Sequence, residues 1–445
     1  MKIVLPVHHF PPRYTAGAEL YTFRLARWLH THGHDVEIVC VETIDWRSEK
    51  NDLSVKQDTY EDLPVWRVDL HITDDRWWPR NYDNPLLGEW FANYLAQSQP
   101  DLVHFQAGYL IGNAPLRATH AAGIPTALTL HDYWFLCPRT TLQRGDGSLC
   151  TKIPDDPAGC AWCMKLEGRR YRLADTLTQG RASHTVGNIV LQKERDQIAR
   201  RRINLLAALA LPDAVIVPSR FLGSQFAPYV DAERLYVSKL GIDLTPFQGI
   251  HHGTSNDVLR IGFTGQIAQH KGIHLLIEAF RKIQSGKQAI ELHIHGGLDR
   301  YPRYVHRLRR MAANDERIFF HGRFENSDVA TILHRLDVNV VPSTWYENSP
   351  LSILEAHAAG TPVVTSAMGG MAELVRDGID GLHFQPNDVD DLTRQLQRLI
   401  NEPMLLAQIR VGVPLPRSID EEMQQLLNIY RNLIIQPDQH LQGVA

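Results

Sequence analysis

Two glutamates, Glu347 and Glu355, stand where an apolar run gives way to a polar loop and then to a helix-like segment. Ser349 is a good N-cap and Pro350 suits the first helical position, so we expect a helix to begin here. Glu347 then lies on the loop and Glu355 on the first turns of the helix. Because free backbone N–H groups at a helix start bind anions, the pattern predicts a ligand with hydroxyls at both ends and phosphate between them.

A second candidate is the loop that follows the apolar run ending at Phe263. Gly265 permits a tight turn, Gly272 begins a helix, and Lys271 places a cation where a phosphate would dock. The same residues also describe an ordinary strand-to-helix turn with a solvated lysine. The glutamate pair in the same predicted domain favours a phosphate-binding role.

Three residues in the first half of the chain are weaker candidates. His131 and Asp132 follow a predicted strand, at the edge where ligands of open parallel sheets bind. Gly17 lies after the first strand in a loop that lacks a full Gly-x-Gly-x-x-Gly pattern. That loop predicts one close backbone approach to a phosphate. A structural histidine and a glycine that merely begins a helix are the alternatives.

Four cysteines follow the His-Asp pair with the spacing C-x12-C-x9-C-x2-C, within a Gly/Pro/Asp-rich insertion. They are Cys137, Cys150, Cys160 and Cys163. Four thiolates can form a closed tetrahedral site, which usually holds structural zinc. An iron–sulfur cluster, disulfides and unligated thiols are alternatives for the same residues. A metal here would pin the insertion without taking part in the chemistry.

Residues 165–202 form a helix-like segment in which basic side chains outnumber acidic ones. A solvated helical face is the simpler interpretation. The other is contact with an anionic membrane surface or a lipid-linked acceptor, to which Trp77 and Trp78 would contribute.

A chain of 445 residues exceeds what one hydrophobic core usually supports, so we expect two domains. The net charge of −4 gives no global sign of nucleic-acid binding. The first apolar run is too short for a signal peptide, and the longest, Leu205 to Leu211, is too short to span a bilayer. These features predict a cytoplasmic protein, at most peripheral on the inner face of the membrane.

Short apolar runs alternate with helix-length amphipathic segments, which predicts an α/β fold with parallel sheets. The rhythm breaks at 235–252, where glycines, a proline and paired histidines occur. The predicted organisation is a first domain at 1–240, containing the Cys-rich insertion at 137–163 and the basic segment at 165–202, a linker at 241–257, a second domain at 258–415, and a C-terminal helical segment at 416–445 that packs back across the domain junction.

Taken together, these motifs resemble glycosyltransferase family 4, the retaining nucleotide-sugar glycosyltransferases. That family has the GT-B fold, an α/β fold in which two Rossmann-like doubly wound domains face each other across a cleft. The resemblance extends over nearly the whole chain, and the cysteine insertion after the His-Asp pair marks a subgroup. The residues that carry it are Thr15-Ala-Gly-Ala-Glu-Leu, His131-Asp132, Gly241-Ile-Asp, the loop from Gly265 to Gly272, the glutamate pair, Gly369-Gly-Met-Ala-Glu and Asp377-Gly-Ile-Asp-Gly.

The resemblance implies a role for each matching residue. Glu347 would hold hydroxyls of the donor sugar, Glu355 would hold the nucleotide ribose, and Lys271 would neutralise the leaving diphosphate. No catalytic metal is expected. The donor-binding set is Gly17, Gln266, Lys271, Asn348, Ser349, Pro350, Leu351 and Glu355, and the residues placed at the reacting sugar are His131, Asp132 and Glu347.

One departure from the family is Gln266, which occupies a position where the family usually has arginine. The expected reaction is transfer of a sugar from a nucleoside diphosphate to a hydroxyl of a polysaccharide, glycolipid or related acceptor. A nucleotide-sugar epimerase, a phosphorylase of the same fold, and a non-catalytic nucleotide-sugar-binding protein remain alternatives, because fold alone does not settle function.

Overall fold

The computed structural model describes residues 1–73, 81–181, 190–249, 258–286 and 288–435. Trp77 and Trp78, and parts of the predicted linker, basic segment and C-terminal segment, lie outside these residues. Two compact units divide the chain. The first comprises Met1–Pro218, Leu222–Ser238 and Met423–Ala445, and the second comprises Ser219–Phe221 and Lys239–Glu422.

The first unit contains one sheet with strand order β3-β4-β2-β1-β5-β6-β7-β8. Its strands are β1 Lys2–Val7, β2 Asp35–Asp45, β3 Asp52–Tyr60, β4 Leu63–His71, β5 Leu102–Phe105, β6 Thr126–Thr129, β7 Ala214–Val217 and β8 Leu235–Val237. Helices of the first half are α1 Gly17–Thr31, α2 Pro85–Ser98, α3 Asn113–Ala121, α4 Pro157–Lys165, α5 Arg169–Leu177, α6 Gln192–Ala208 and α7 Arg220–Phe226.

Two strands of this sheet depart from the prediction. β3 pairs antiparallel with β4, whereas the sequence predicted parallel strands only. All of its residues are half-buried or exposed, and none is buried, so β3 lacks the apolar run that marks the central parallel strands. β8 lies within the segment whose composition breaks the rhythm, and it pairs parallel with β7 at the sheet edge.

The second unit contains a parallel sheet with strand order β11-β10-β9-β12-β13-β14. Its strands are β9 Val258–Thr264, β10 Ala289–His295, β11 Ile318–Gly322, β12 Val338–Val341, β13 Val363–Ser366 and β14 Gly381–Phe384. Its helices are α8 Ile273–Lys282, α9 Pro302–Ala312, α10 Val329–His334, α11 Leu351–Ala358, α12 Gly369–Leu374, α13 Val389–Asn401 and α14 Pro403–Gly412. A buried apolar core of aliphatic and aromatic side chains lies between these helices and the central strands.

Near the centre of each sheet, the order in which successive strands are added reverses. In the first, β1 lies beside β5, and in the second, β9 lies beside β12. Ligands of open parallel sheets bind outside the carboxyl ends of the strands at such a switch point. In the second unit, this places the loops after β9 and β12 at the expected binding position.

The last described helix, α15 Ile419–Ile435, contains residues of both units. Its start is a capping box, because Ser418 Oγ accepts from Glu421 N at 3.2 Å and Glu421 Oε2 accepts from Ser418 N at 2.8 Å. Within the first unit, the Tyr430 hydroxyl lies 2.6 Å from Nδ1 of the fully buried His104 on β5. No helix in the described part of the chain is long and apolar enough to cross a membrane.

Candidate functional site

The two switch-point loops of the second unit are packed directly on each other. Gly272 has a φ of +72°, and a Cβ there would lie 1.8 Å from the Pro342 carbonyl oxygen, so only glycine fits. Thr344 N donates to the His270 carbonyl oxygen at 2.8 Å. The loop carrying Lys271 is thereby fixed against the end of β12.

Several hydrogen bonds of these loops converge on the side chain of Glu347. Three donors meet its Oε1 atom: Lys271 Nζ at 2.6 Å, Ser343 Oγ at 2.8 Å and Trp345 Nε1 at 2.9 Å. Burial alone would raise the pKa of Glu347, but the Lys271 charge and these hydrogen bonds outweigh burial and hold it below its ordinary value. The side chain is therefore a buried carboxylate whose Oε2 receives none of these three donors.

A second set of contacts fixes the backbone of Glu347. Gly370 N, at the start of α12, donates to the Glu347 carbonyl oxygen at 2.7 Å. A Cβ on Gly370 would lie 1.7 Å from the Asn348 carbonyl oxygen. The Gly369-Gly370 pair that the sequence singled out therefore allows α12 to support the glutamate loop.

The helix after this loop begins later than predicted. Pro350 is in the N-cap position with extended backbone and no side-chain cap, and α11 begins at Leu351, so the assignment of Ser349 as N-cap was wrong. Ser349 Oγ is buried without a hydrogen-bond partner among the described residues. Glu355 is half-buried within α11, and Asn348 is buried in the loop.

His131 and Asp132 follow β6 in the first unit, as predicted. Burial lowers the pKa of His131 to about 4, and the nearby charge of His8 acts in the same direction. Burial raises the pKa of Asp132, whose Oδ1 accepts from Trp134 N at 2.8 Å. Tyr21 contacts the His131 ring edge-on, with the ring centroids 4.9 Å apart.

Sequence reasoning missed a histidine–glutamate pair beside His131. His8 Nε2, at the end of β1, lies 3.3 Å from Oε1 of the buried Glu19 on α1. Burial raises the pKa of Glu19, but the hydrogen bond and charge of His8 outweigh it, and the net shift is downward. The signal was present, because Glu19 belongs to the Thr15-Ala-Gly-Ala-Glu-Leu motif. Gly17 in that motif is the first residue of α1, with open space where a Cβ would lie.

The four cysteines of the insertion line one cavity of about 30 Å³. All are free thiols, and burial, together with the neighbouring cysteines, raises the pKa of Cys150 and Cys160 to about 11. The predicted metal site is not supported by the present side-chain geometry. No group of three or more His, Cys, Asp or Glu residues in the described ranges is arranged to hold a metal ion.

Part of the basic segment has a structural role. Arg201 is 4% exposed, donates to the Trp134 carbonyl oxygen, and lies over the Trp134 ring. Arg202 donates to the carbonyl oxygens of Pro154 and Asp155 at 2.9 and 2.8 Å. Arg201 thus fixes the residues just before the insertion to α6, and Arg202 fixes the insertion itself.

Two family profiles match the chain. Residues 15–178 match Glycosyltransferase Family 4, and residues 251–411 match Glycosyl transferases group 1. The chain is therefore similar to glycosyltransferases in two separate regions, each of which is less than half of its 445 residues. Both matches include candidate site residues. The first contains Gly17 and His131, and the second contains Lys271 and Glu347.

Several curated relatives match this chain over part of their length, and they include a glycogen synthase and a glycosyltransferase. A glycogen synthase of Mycobacterium tuberculosis is 31% identical over 141 residues, which is 32% of this chain and 34% of that protein. An uncharacterized glycosyltransferase of Methanocaldococcus jannaschii is 30% identical over 184 residues, 40% of this chain and 46% of its own length. This chain thus spans less than half the length of each.

Solved structures match the fold over almost the whole chain. Sucrose-phosphate synthase from Thermosynechococcus elongatus has a TM-score of 0.65 at 19% identity, covering 98% of this chain and 99% of that one. Anabaena HepE in complex with UDP and glucose has a TM-score of 0.63 at 17% identity, covering 97% and 99%. The prediction of a GT-B fold with two Rossmann-like domains is confirmed.

Proposed function

We propose that this glycosyltransferase-family protein is a retaining enzyme that transfers a sugar from a nucleoside diphosphate to a hydroxyl of a glycan, glycolipid or related acceptor. The observation that carries the proposal is the Lys271–Glu347 pair at the switch point of the second sheet. A cation and a buried carboxylate, next to a helix start, match the two chemical parts of a sugar diphosphate.

In this proposal the second unit binds the donor. Glu347, kept ionised by its partners, accepts hydrogen bonds from sugar hydroxyls through Oε2. The backbone N–H groups of Ser349 and Leu351 approach the phosphates, and Glu355 binds the ribose. Lys271 stabilises the negative charge that develops on the leaving diphosphate, which lowers the barrier without a metal ion.

The first unit would supply the residues at the reacting sugar. A His131 whose pKa is near 4 is neutral at pH 7, so its imidazole can exchange hydrogen bonds with hydroxyls without adding charge. Asp132 and the His8–Glu19 pair would fix its surroundings, and Gly17 would allow a close backbone approach. We assign no nucleophile to the retaining step.

The test is a transfer assay with a panel of nucleotide sugars and simple glycan acceptors, monitored by release of nucleoside diphosphate. UDP and ADP donors belong in the panel, because two matching structures contain those nucleotides. We expect acceptor-dependent release by the wild type and at least tenfold slower release by Glu347→Gln. An exposed control, Glu278→Gln, should keep full activity.

The alternatives predict different outcomes of the same assay. An epimerase converts the nucleotide sugar with no acceptor present. A phosphorylase requires inorganic phosphate, and a binding protein retains the donor unchanged. Full transfer activity in Glu347→Gln would contradict the assigned role of Glu347.

We further propose that the cysteine cavity holds a structural metal ion, with zinc the first choice. Its volume is that of one or two water molecules, which suits a single ion better than an iron–sulfur cluster. The four sulfurs would draw in to about 2.3 Å from zinc. Metal analysis of the purified protein should give about one zinc per chain. The zinc should be lost in the double variant that combines Cys160→Ser and Cys163→Ser, and kept in the control variant Cys40→Ser. Iron in place of zinc, or no metal, would refute this choice.

We also propose that α5 contacts the surface of an anionic membrane. This helix buries none of its residues, and Leu173 and Leu177 are 53% and 83% exposed beside Arg169, Arg170 and Arg172. Basic and apolar side chains on one exposed helix suit the surface of an anionic bilayer. Pelleting with phosphatidylserine vesicles at low salt, and with neutral vesicles as the control, would test it. Equal recovery with both would contradict it.

A further inference from the structure

A basic pocket of about 650 Å³ opens in the second unit beside the Lys271 loop. Its volume is in the range typical of small-molecule sites. Arg300, Arg303 and Arg307 contribute its charge, and no aspartate or glutamate is among the described residues that line it. The remaining lining residues are Ala268, Gln269, His270, Tyr301, Pro302 and Tyr304.

The three arginines carry unneutralised charge. None of them forms an ion pair with any residue in the described part of the chain, although Arg300 lies over the Tyr301 ring at 5.7 Å. By contrast, Arg317 in the same unit pairs with Asp315 at 2.8 Å. Three unpaired guanidinium groups around one pocket attract an anion with several oxygens.

The pocket adjoins the proposed diphosphate position. A Cβ on Gly296 would lie 2.1 Å from the Gly265 carbonyl oxygen, so the loop leading to Arg300 packs on the loop that contains Gln266. Burial lowers the pKa of His270 most, and the charges of Lys271 and Arg300 lower it further. Arg300 and Lys271 therefore act electrostatically on the same residue.

The charge balance of the Lys271 loop indicates that binding a diphosphate requires a second source of positive charge. Lys271 is engaged 2.6 Å from Glu347, so this pair has no net charge. A diphosphate is multiply negative, and a neutral pair offers it little long-range attraction. Gln266 brings a hydrogen-bonding amide to the loop but no charge.

We propose that the arginine pocket is a phosphate subsite, in which Arg300 binds the diphosphate of the donor together with Lys271, whose charge is shared with Glu347. The inference rests on the proposed function, because it names the residues that bind the charged part of that donor. Arg303 and Arg307 would set the positive potential that attracts the ligand, and the ring of Tyr301 would hold the Arg300 guanidinium in place.

The test is calorimetric titration of the full chain with inorganic pyrophosphate and with uridine and adenosine diphosphates. We expect Arg300→Ala to weaken pyrophosphate and diphosphate binding about tenfold or more, while the affinity for the matching nucleoside stays unchanged. Arg309→Ala is the control, since Arg309 is exposed on α9, the helix that carries Arg303 and Arg307, and lies outside the pocket. It should bind as the wild type does.

A compensating variant separates charge supply from a structural role. Gln266→Arg places a cation on the adjoining loop, so Gln266→Arg combined with Arg300→Ala should recover most of the lost affinity. Diphosphate and pyrophosphate binding by Arg300→Ala equal to that of the wild type, or no pyrophosphate binding by the wild type, would overturn the inference. Sugar transfer that continues alongside either result would leave the proposed function intact. Arginine-dependent pyrophosphate binding without any sugar transfer would instead support the subsite and refute the function.

Discussion

At the scale of single residues, the candidate site depends on one buried pair. Glu347 keeps its charge in a buried position because Lys271, Ser343 and Trp345 all bind one of its oxygens. Removing one member of such a pair leaves an unpaired buried charge, which destabilises more than removing both. The pair therefore affects both the stability of the switch-point loops and their ability to bind ligand.

We expect Lys271→Met to destabilise the protein by about 3 kcal/mol, and Lys271→Met combined with Glu347→Gln to destabilise it less. Thermal unfolding of the two single variants and the double variant measures the coupling. The exposed pair Lys282–Asp390 is the control, and Lys282→Met should leave Tm almost unchanged. A double variant less stable than Lys271→Met would contradict this interpretation.

His104 gives a prediction about pH. Burial lowers its pKa to about 3, whereas an unfolded histidine titrates near 6.5, so between these values the unfolded chain binds more protons. His104 therefore makes stability fall as the pH is lowered below about 6.5, by up to about 1.4 kcal/mol per pH unit.

The measurement is Tm between pH 7 and pH 5 for the wild type and His104→Gln. The variant should be less stable at pH 7, since Tyr430 and Thr129 lose their partner, but its Tm should fall less steeply with acid. His30→Gln, an exposed substitution on α1, should keep the wild-type slope. Equal slopes for the wild type and His104→Gln would refute the assignment.

At the scale of elements, most of the parallel strands, though neither β8 nor β14, were predictable because they are short and mainly apolar runs. β3 was not, since its pattern is that of a half-covered antiparallel strand. The start of α11 was misplaced because tertiary contacts decide it. Gly370 N binds the Glu347 carbonyl oxygen and fixes the loop, and the chain turns helical only after Pro350.

The packing of the two switch-point loops can be tested at Gly272. Gly272→Ala forces a Cβ against the Pro342 carbonyl oxygen, so we expect a loss of at least 2 kcal/mol in stability and loss of diphosphate binding. Gly378→Ala is a matched control, because Gly378 has the same φ of +72° with open space around it. Both variants are measured by thermal unfolding and by diphosphate titration. A Gly272 variant no worse than the Gly378 variant would show that the loops tolerate separation.

At the scale of the whole molecule, the sequence predicted the GT-B fold and brought Lys271 and Glu347 into one domain. Their contact joins residues separated by 76 positions, which no local pattern encodes. Ser343 and Trp345 were missed because each looks like an ordinary loop residue until its bond to Glu347 is seen. The His8–Glu19 pair was missed because it joins the end of a strand to the following helix across a turn.

The central claim is that the second unit binds a nucleoside diphosphate and its sugar at the switch point. A thermal-shift panel of nucleosides, nucleoside monophosphates, diphosphates and nucleotide sugars tests it directly, with wild type, Glu355→Ala and the exposed control Glu278→Gln. We predict that one base gives a rise in Tm that grows from nucleoside to diphosphate, persists in Glu278→Gln and shrinks in Glu355→Ala. No rise with any diphosphate, or an equal rise in Glu355→Ala, would contradict the account.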